Sequence, residues 1–207
     1  MNQPSAAQQP AAPYRAQVPG AAFAPIRSTT RWIFAVIISL MGLGFFVTLV
    51  TWTVAIIGAD HRPSHEPDST LMGIGIGSFV LIVLLLYGQV AAGLVWLYRA
   101  WSWLPWDQRY SRHWKSWIPP SHAALMLLIP YFHYYWMFVV NCGLCDALDR
   151  MRVSYPTREA APKNLAIMAC ICQLLIPVPV GGILWLVFMA KIERMTREMS
   201  AGIAASA

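Results

Sequence analysis

Charge is what this chain has least of. Nine Asp and Glu and 15 Lys and Arg are spread over 207 residues, a charged share of 12%, where an ordinary soluble domain carries about 25%. So few charges cannot solvate the surface of a soluble protein of this size, and the mean hydropathy is +0.51. Catalytic patterns are missing as well. There is no Ser/His/Asp or zinc-hydrolase spacing and no carboxylate central to an apolar run, which argues against an enzyme and gives no reason to expect a cofactor or a metal. The four cysteines all fall inside apolar segments, so they do not form the framework of a disulfide-stapled secreted domain. The run Gly73-Ile-Gly75-Ile-Gly77 is no phosphate loop, because no strand leads into it and no Lys follows. Its glycines suit close helix approach instead.

What is present is apolar and arranged in long runs. Residues 1–31 are rich in Pro, Ala and Gln, with little to bury, and are expected to be a disordered tail. They are not expected to be a cleavable signal, since the following apolar run of about 26 residues exceeds an h-region. Four segments, 32–57, 71–98, 121–148 and 164–192, each exceed the ~20 residues needed to cross a bilayer. The expected fold is therefore all-α, an integral membrane four-helix bundle occupying 32–198, with a short tail at 199–207.

Between the second and third segments lies the most distinctive stretch, Arg99 to Trp117. Trp96, Trp101, Trp103, Trp106, Trp114 and Trp117 alternate there with Arg99, Arg109, Arg112 and Lys115. Trp and basic residues favour the headgroup level. This segment is expected to lie in the interface as a short amphipathic helix ending near Pro119-Pro120 and to anchor the bundle.

The net charge of +6 follows from such short basic clusters, which read as topology signals rather than as a nucleic-acid surface. If all four segments cross, ten Lys and Arg lie on the side of the termini and five on the other, which favours cytoplasmic termini. The basic 149–163 loop fits this pattern worst, and a third segment that re-enters would return it inside.

Prolines interrupt the last two segments at Pro130 and at Pro177 and Pro179, and Leu127-Leu128-Ile129-Pro130 recurs as Leu174-Leu175-Ile176-Pro177. Each proline frees a carbonyl four residues earlier, at Met126 and Gln173. His133, Gln89, Asn141 and Gln173 are the polar side chains expected near these breaks, with His133 bridging a freed carbonyl. Cys142-Gly-Leu-Cys145 has the spacing of a thiol–disulfide site, but Cys is also a small residue that packs well. His61 and His65 are separated by Pro63, which prevents the helix that would align them on a metal.

Leu97-Tyr98-Arg99-Ala100-Trp101, then Leu128-Ile129-Pro130-Tyr131-Phe132-His133-Tyr134-Tyr135-Trp136-Met137-Phe138, then Gly143-Leu144, resembles a group of uncharacterised bacterial multi-pass membrane proteins. Their shared element runs YR-x-W … IP-F-F-N-x-Y-W-x-F … GL, and some carry a GYF-like domain. The resemblance implies an integral protein of the bacterial cytoplasmic membrane and supplies no activity. His133 stands where the group has Asn. The residues thus support a non-enzymatic membrane protein acting through helix packing and binding of partners: the lipid bilayer, other proteins or further copies of itself, and no nucleic acid. A small-solute or proton pathway around His133 and a membrane thiol–disulfide oxidoreductase are the alternatives.

Overall fold

The computed structural model describes residues 26, 28–60, 69–175 and 180–206. The described residues are mostly helical, in six α-helices. The first two, α1 (Thr29–Asp60) and α2 (Ser69–Trp103), are long and apolar enough to cross a membrane, with mean hydropathies of 2.6 and 2.3. Each is ~50 Å long by helical rise, well beyond the ~30 Å of a hydrocarbon core. Only 22% of the most apolar window of either helix is buried in the protein.

α1 and α2 pack antiparallel along their whole length. Arg99 donates from Nη1 to Thr30 Oγ1 (2.6 Å) at one end. Thr48 donates to Ser78 Oγ (2.8 Å) further along. Several glycines serve the approach expected of them: a Cβ at Gly44 would lie 3.2 Å from Ile82, and one at Gly75 3.4 Å from the Trp52 ring. Gly73 and Gly77, about half a turn either side of Gly75, face open space.

The Trp-rich segment is not the short amphipathic helix expected of it. α2 runs on to Trp103, a 3₁₀ turn follows at Trp106–Gln108, and a two-stranded hairpin pairs β1 (Tyr110–Ser111) with β2 (Ser116–Trp117). Lys115, with φ 52°, completes the reversal. Trp106 stacks on Trp117 with ring centres 5.6 Å apart, and the Arg109 guanidinium covers the Trp106 ring.

The segments at 121–148 and 164–192 were expected to be single spans, and each instead folds back on itself. The first begins as α3 (Pro120–Leu125), which tightens into a 3₁₀ turn at Met126–Leu128. Pro130 cannot continue the helix and holds Ile129 extended, at φ −79° and ψ 117°. Tyr131 then takes φ 61° and ψ −42°, a tight γ-type reversal closed by Phe132 N–H on the Pro130 carbonyl (2.7 Å). The chain returns as α4 (Phe132–Met151), and Trp136 Nε1 donates to the Ala123 carbonyl across the hairpin (3.2 Å).

The second hairpin pairs α5 (Lys163–Leu175) with α6 (Val180–Ser206). Near its tip the Gln173 backbone lies 3.3 Å from where a Gly181 Cβ would sit. At its open end Glu159, just before α5, meets Lys191 at 3.2 Å. Pro177, Pro179 and the His61/His65 pair lie outside the described residues.

One core joins these parts, built from Trp96 and Trp101 of α2, Trp136, Leu144 and Leu148 of α4, and Phe188, Ile192 and Met199 of α6. α4 is buried on nearly every side between Val139 and Cys145, as a central helix must be. The core occupies only one end of the α1–α2 pair. Beyond Ile38, which meets Gly182 near the second hairpin's tip, α1 exposes Phe45, Phe46, Leu49, Trp52 and Ile56.

Candidate functional site

The charged groups converge on the packed end of the molecule. Glu193 sits midway along α6 with a fully buried side chain. Trp96 Nε1 donates to its Oε1 (3.3 Å), and the Arg31 guanidinium of α1 stands 3.3 Å from Oε2 as an ion pair without hydrogen-bond geometry. A carboxylate this buried is stable only with such partners. Three helices are therefore tied at one point. Asp146 of α4 accepts from Lys163 at the head of α5 (2.8 Å) and faces His113 of the Trp-rich loop (3.5 Å). That hydrogen bond is the main reason the Lys163 ammonium is held above its usual pKa.

Arg150 fixes the relation of the two loops. Its guanidinium donates to the carbonyls of Gln108 (2.7 Å) and Tyr110 (3.1 Å) and to the Gln108 side chain (3.2 Å). The loop after α4 and the loop after α2 therefore lie on the same side of the molecule. The 152–162 stretch is closed onto α6 by Arg158 N–H donating to Glu198 (3.1 Å) and by Glu159 facing both Lys191 and Arg194.

The polar residues predicted near the proline breaks do not assemble into one network. The carbonyl of Met126, expected to need His133, accepts from Ile129 N–H within the 3₁₀ turn (3.4 Å). The His133 ring lies against Tyr134, centres 3.8 Å apart. Neighbouring Phe132 packs on Trp114 of the Trp-rich loop and on Trp136. Asn141 donates to the Met137 carbonyl (2.7 Å), while its buried Oδ1 accepts nothing. Gln173 and Gln89 each lie beside one glycine at the start of α6: Gln173 Oε1, buried and without a hydrogen-bond partner among the described residues, is 3.0 Å from a Gly181 Cβ position, and Gln89 Nε2 is 3.6 Å from a Gly182 one.

Cys142 and Cys145 are buried free thiols on α4, and Cys170 of α5 joins them by approaching the Met137 carbonyl (3.8 Å). Among the described residues no three His, Cys, Asp or Glu side chains come together in a way that could hold a metal ion.

The expected anchors divide into two sets. Trp106, Trp114 and Trp117 are exposed, whereas Trp96, Trp101 and Trp103 belong to the core. Trp fits both settings, since its ring wants burial and its N–H wants a partner. Sequence reading missed Glu193 because it ended the last apolar run at Ile192. The available signal was the stripe Ile192, Met195, Met199, Ile203, whose helical spacing extends the buried face beyond that point. Comparison with family models, with curated proteins and with solved structures finds no match to this chain.

Proposed function

We propose that the chain is an integral membrane protein in which only α1 and α2 cross, and that it acts without catalysis, by presenting a structured polar face to protein partners on the side of its termini. The observation that carries this reading is Arg150 on the carbonyls of Gln108 and Tyr110. With those loops on one side, α3–α4 and α5–α6 enter and leave from that side. Of the 15 Lys and Arg, only Arg62 then lies in the connection on the far side, leaving fourteen with the termini. That distribution obeys the positive-inside rule far better than ten against five. The far connection keeps Asp60, Glu66 and Asp68.

Depth follows from the aromatic residues. Trp114 packs on Phe132 and Trp136 while flanked by His113 and Lys115, so the tip of the first hairpin sits where charge and Trp coexist, at the headgroup level. Tyr131, Tyr134 and Tyr135, all exposed, extend the same belt. The second hairpin goes deeper, reaching Ile38 about two turns into α1. The resemblance to bacterial multi-pass proteins supports taking the membrane to be the bacterial cytoplasmic one. Neither alternative gains from this geometry. His133 is not joined to Gln89, Asn141 or Gln173 by any hydrogen bond among the described residues, and Cys142 and Cys145 are buried.

Single cysteines at Ser64 and Ser154, labelled in spheroplasts with a membrane-impermeant maleimide, test the topology. Ser64→Cys is expected to label from outside and Ser154→Cys only after permeabilisation. Labelling of Ser154→Cys from outside would restore four crossings. For the partner face, a cross-linker on Lys115 in native membranes is expected to give an adduct that Arg112→Glu abolishes, and its absence would remove the partner-binding reading.

A further inference from the structure

A groove of about 450 Å³ opens sideways between the first turns of α1 and the last turns of α2. Its floor is Gly88, Ala91 and Ala92, and its mouth is Thr29, Thr30 and Arg99. From Arg99 to Gly88 the floor runs ~16 Å along the helix, which matches one leaflet's share of a ~30 Å hydrocarbon core. The mouth stands at the headgroup level by independent marks. Tyr98 and Trp32 are both exposed beside it, and Arg31 lies over the Trp32 ring, a pairing of aromatic and basic residues typical of that depth.

The mouth is also built to take negative charge. Arg99 is held by one hydrogen bond, from Nη1 to Thr30 Oγ1 at 2.6 Å. A guanidinium has five N–H donors, and among the described residues the others have no protein acceptor. The exposed Thr29 hydroxyl and the positive end of α1 face the same opening. Among the described residues no carboxylate lines the groove; Glu193 is engaged by Arg31 and Trp96.

From this geometry we infer that the α1–α2 groove is a binding site for one anionic phospholipid. Its phosphate accepts from the free N–H groups of Arg99 and from Thr29, and one acyl chain lies along Ala92, Ala91 and Gly88. The small floor residues let the chain approach the helix backbone closely, and the apolar walls Ile33 and Val95 are the surface it covers. Charge complementarity decides for an anionic lipid over a zwitterionic one. A zwitterionic headgroup would bring its own cation to a mouth that already holds Arg99 and the head of α1.

The test is native mass spectrometry of the delipidated full chain in detergent, titrated with phosphatidylglycerol and, separately, with phosphatidylcholine of the same acyl chains. The expected result is a first phosphatidylglycerol adduct at about fivefold lower lipid than for phosphatidylcholine, the scale of one basic residue meeting an uncompensated lipid charge at the membrane surface. Arg99→Gln should erase that preference. Ala91→Phe, at an exposed helix position, should fill the groove and weaken the first adduct of both lipids while leaving Arg99 in place. Equal binding of the two lipids by the native chain, or an unchanged preference in Arg99→Gln, would overturn the inference. So would displacement of the adduct by millimolar inorganic phosphate, which would make the ligand a soluble anion. The inference rests on the membrane reading, yet the adducts report on the groove alone and the maleimide labelling reports on topology, so the two can fail separately.

Discussion

The two halves of the α1–α2 pair are both predominantly apolar and have opposite surroundings. At the end holding Thr30, Phe34 and Trp96, one side of the pair is covered by α3, α4 and α6, and its buried side chains belong to the common core. At the other end, between Gly42 and Gly77, the helices pack chiefly on each other among the described residues, and Phe46 is 62% exposed against 1% for Trp96. Apolar side chains buried against protein contribute through packing, because the interior is dense and each lost contact leaves a void. Apolar side chains facing lipid exchange one apolar neighbour for another and contribute little. The contrast teaches that hydropathy, if anything higher at the exposed end, reports solvent and not packing.

This comparison breaks most visibly on two aromatic truncations. Trp96→Ala removes a buried ring and the N–H that satisfies Glu193, and should cost ~3–5 kcal/mol. Phe46→Ala should change stability by less than ~0.5 kcal/mol. Thermal unfolding in one detergent measures both, and similar losses would mean that the exposed half is packed against something in the native state.

The glycines give a finer version. A Cβ at Gly181 would meet the Gln173 backbone at 3.3 Å. Backbone cannot give way as a side-chain tip can, so Gly181→Ala should cost ~1–2 kcal/mol. Gly73→Ala meets nothing within 4 Å and should be neutral or stabilising, by up to ~1 kcal/mol of helix propensity. A marked loss at Gly73 would show that its open face is a contact surface in the membrane.

The smallest effect belongs to the exposed rim of the packed end. The Arg158 backbone N–H, and then Arg194, hold the Glu198 carboxyl below the usual carboxylate range. A depressed folded-state pKa adds stability above the unfolded value of ~4.3, and this is lost as the pH falls through the folded one. Solvent screening keeps the gain small. The midpoint difference between native chain and Glu198→Gln should therefore be greatest near neutral pH and shrink towards pH ~3. A difference that grew on acidification would contradict the assignment.

Much of α1 and α2 was legible in the sequence. The expected 32–57 and 71–98 became Thr29–Asp60 and Ser69–Trp103, because long uncharged runs have no other stable form in lipid. The break at Pro130 was legible too, and so was the echo of Leu-Leu-Ile-Pro. At Pro130 that element proves to mark a hairpin tip, and its second copy begins in the last turn of α5. The direction of the chain after Pro130 was not legible. Hydropathy over 28 residues is the same for one kinked span as for two short arms lying side by side. What decides between them is the reversal at Tyr131 and the long-range bond from Trp136 to Ala123, which no local pattern encodes. Of the candidate site, Gln89 and Gln173 lie beside Gly181 and Gly182 rather than His133, a placement set by the packing of α2 and α5 on α6 that no local pattern encodes.

Hairpins that return to their own side also simplify how such a chain is made. In the proposed topology the insertion machinery must carry only the short 61–68 stretch across the bilayer, and in it the single cation Arg62. Moving Lys or Arg to the centre of the bilayer costs ~2.5–3.5 kcal/mol each on insertion scales. Four crossings would have taken Arg150, Arg152, Arg158 and Lys163 through as well. Here α1 and α2 can enter together as one pair while the ribosome is still making the rest. Both hairpins can then settle against that pair from the side on which they were synthesised, so that membrane insertion and tertiary folding become separate steps.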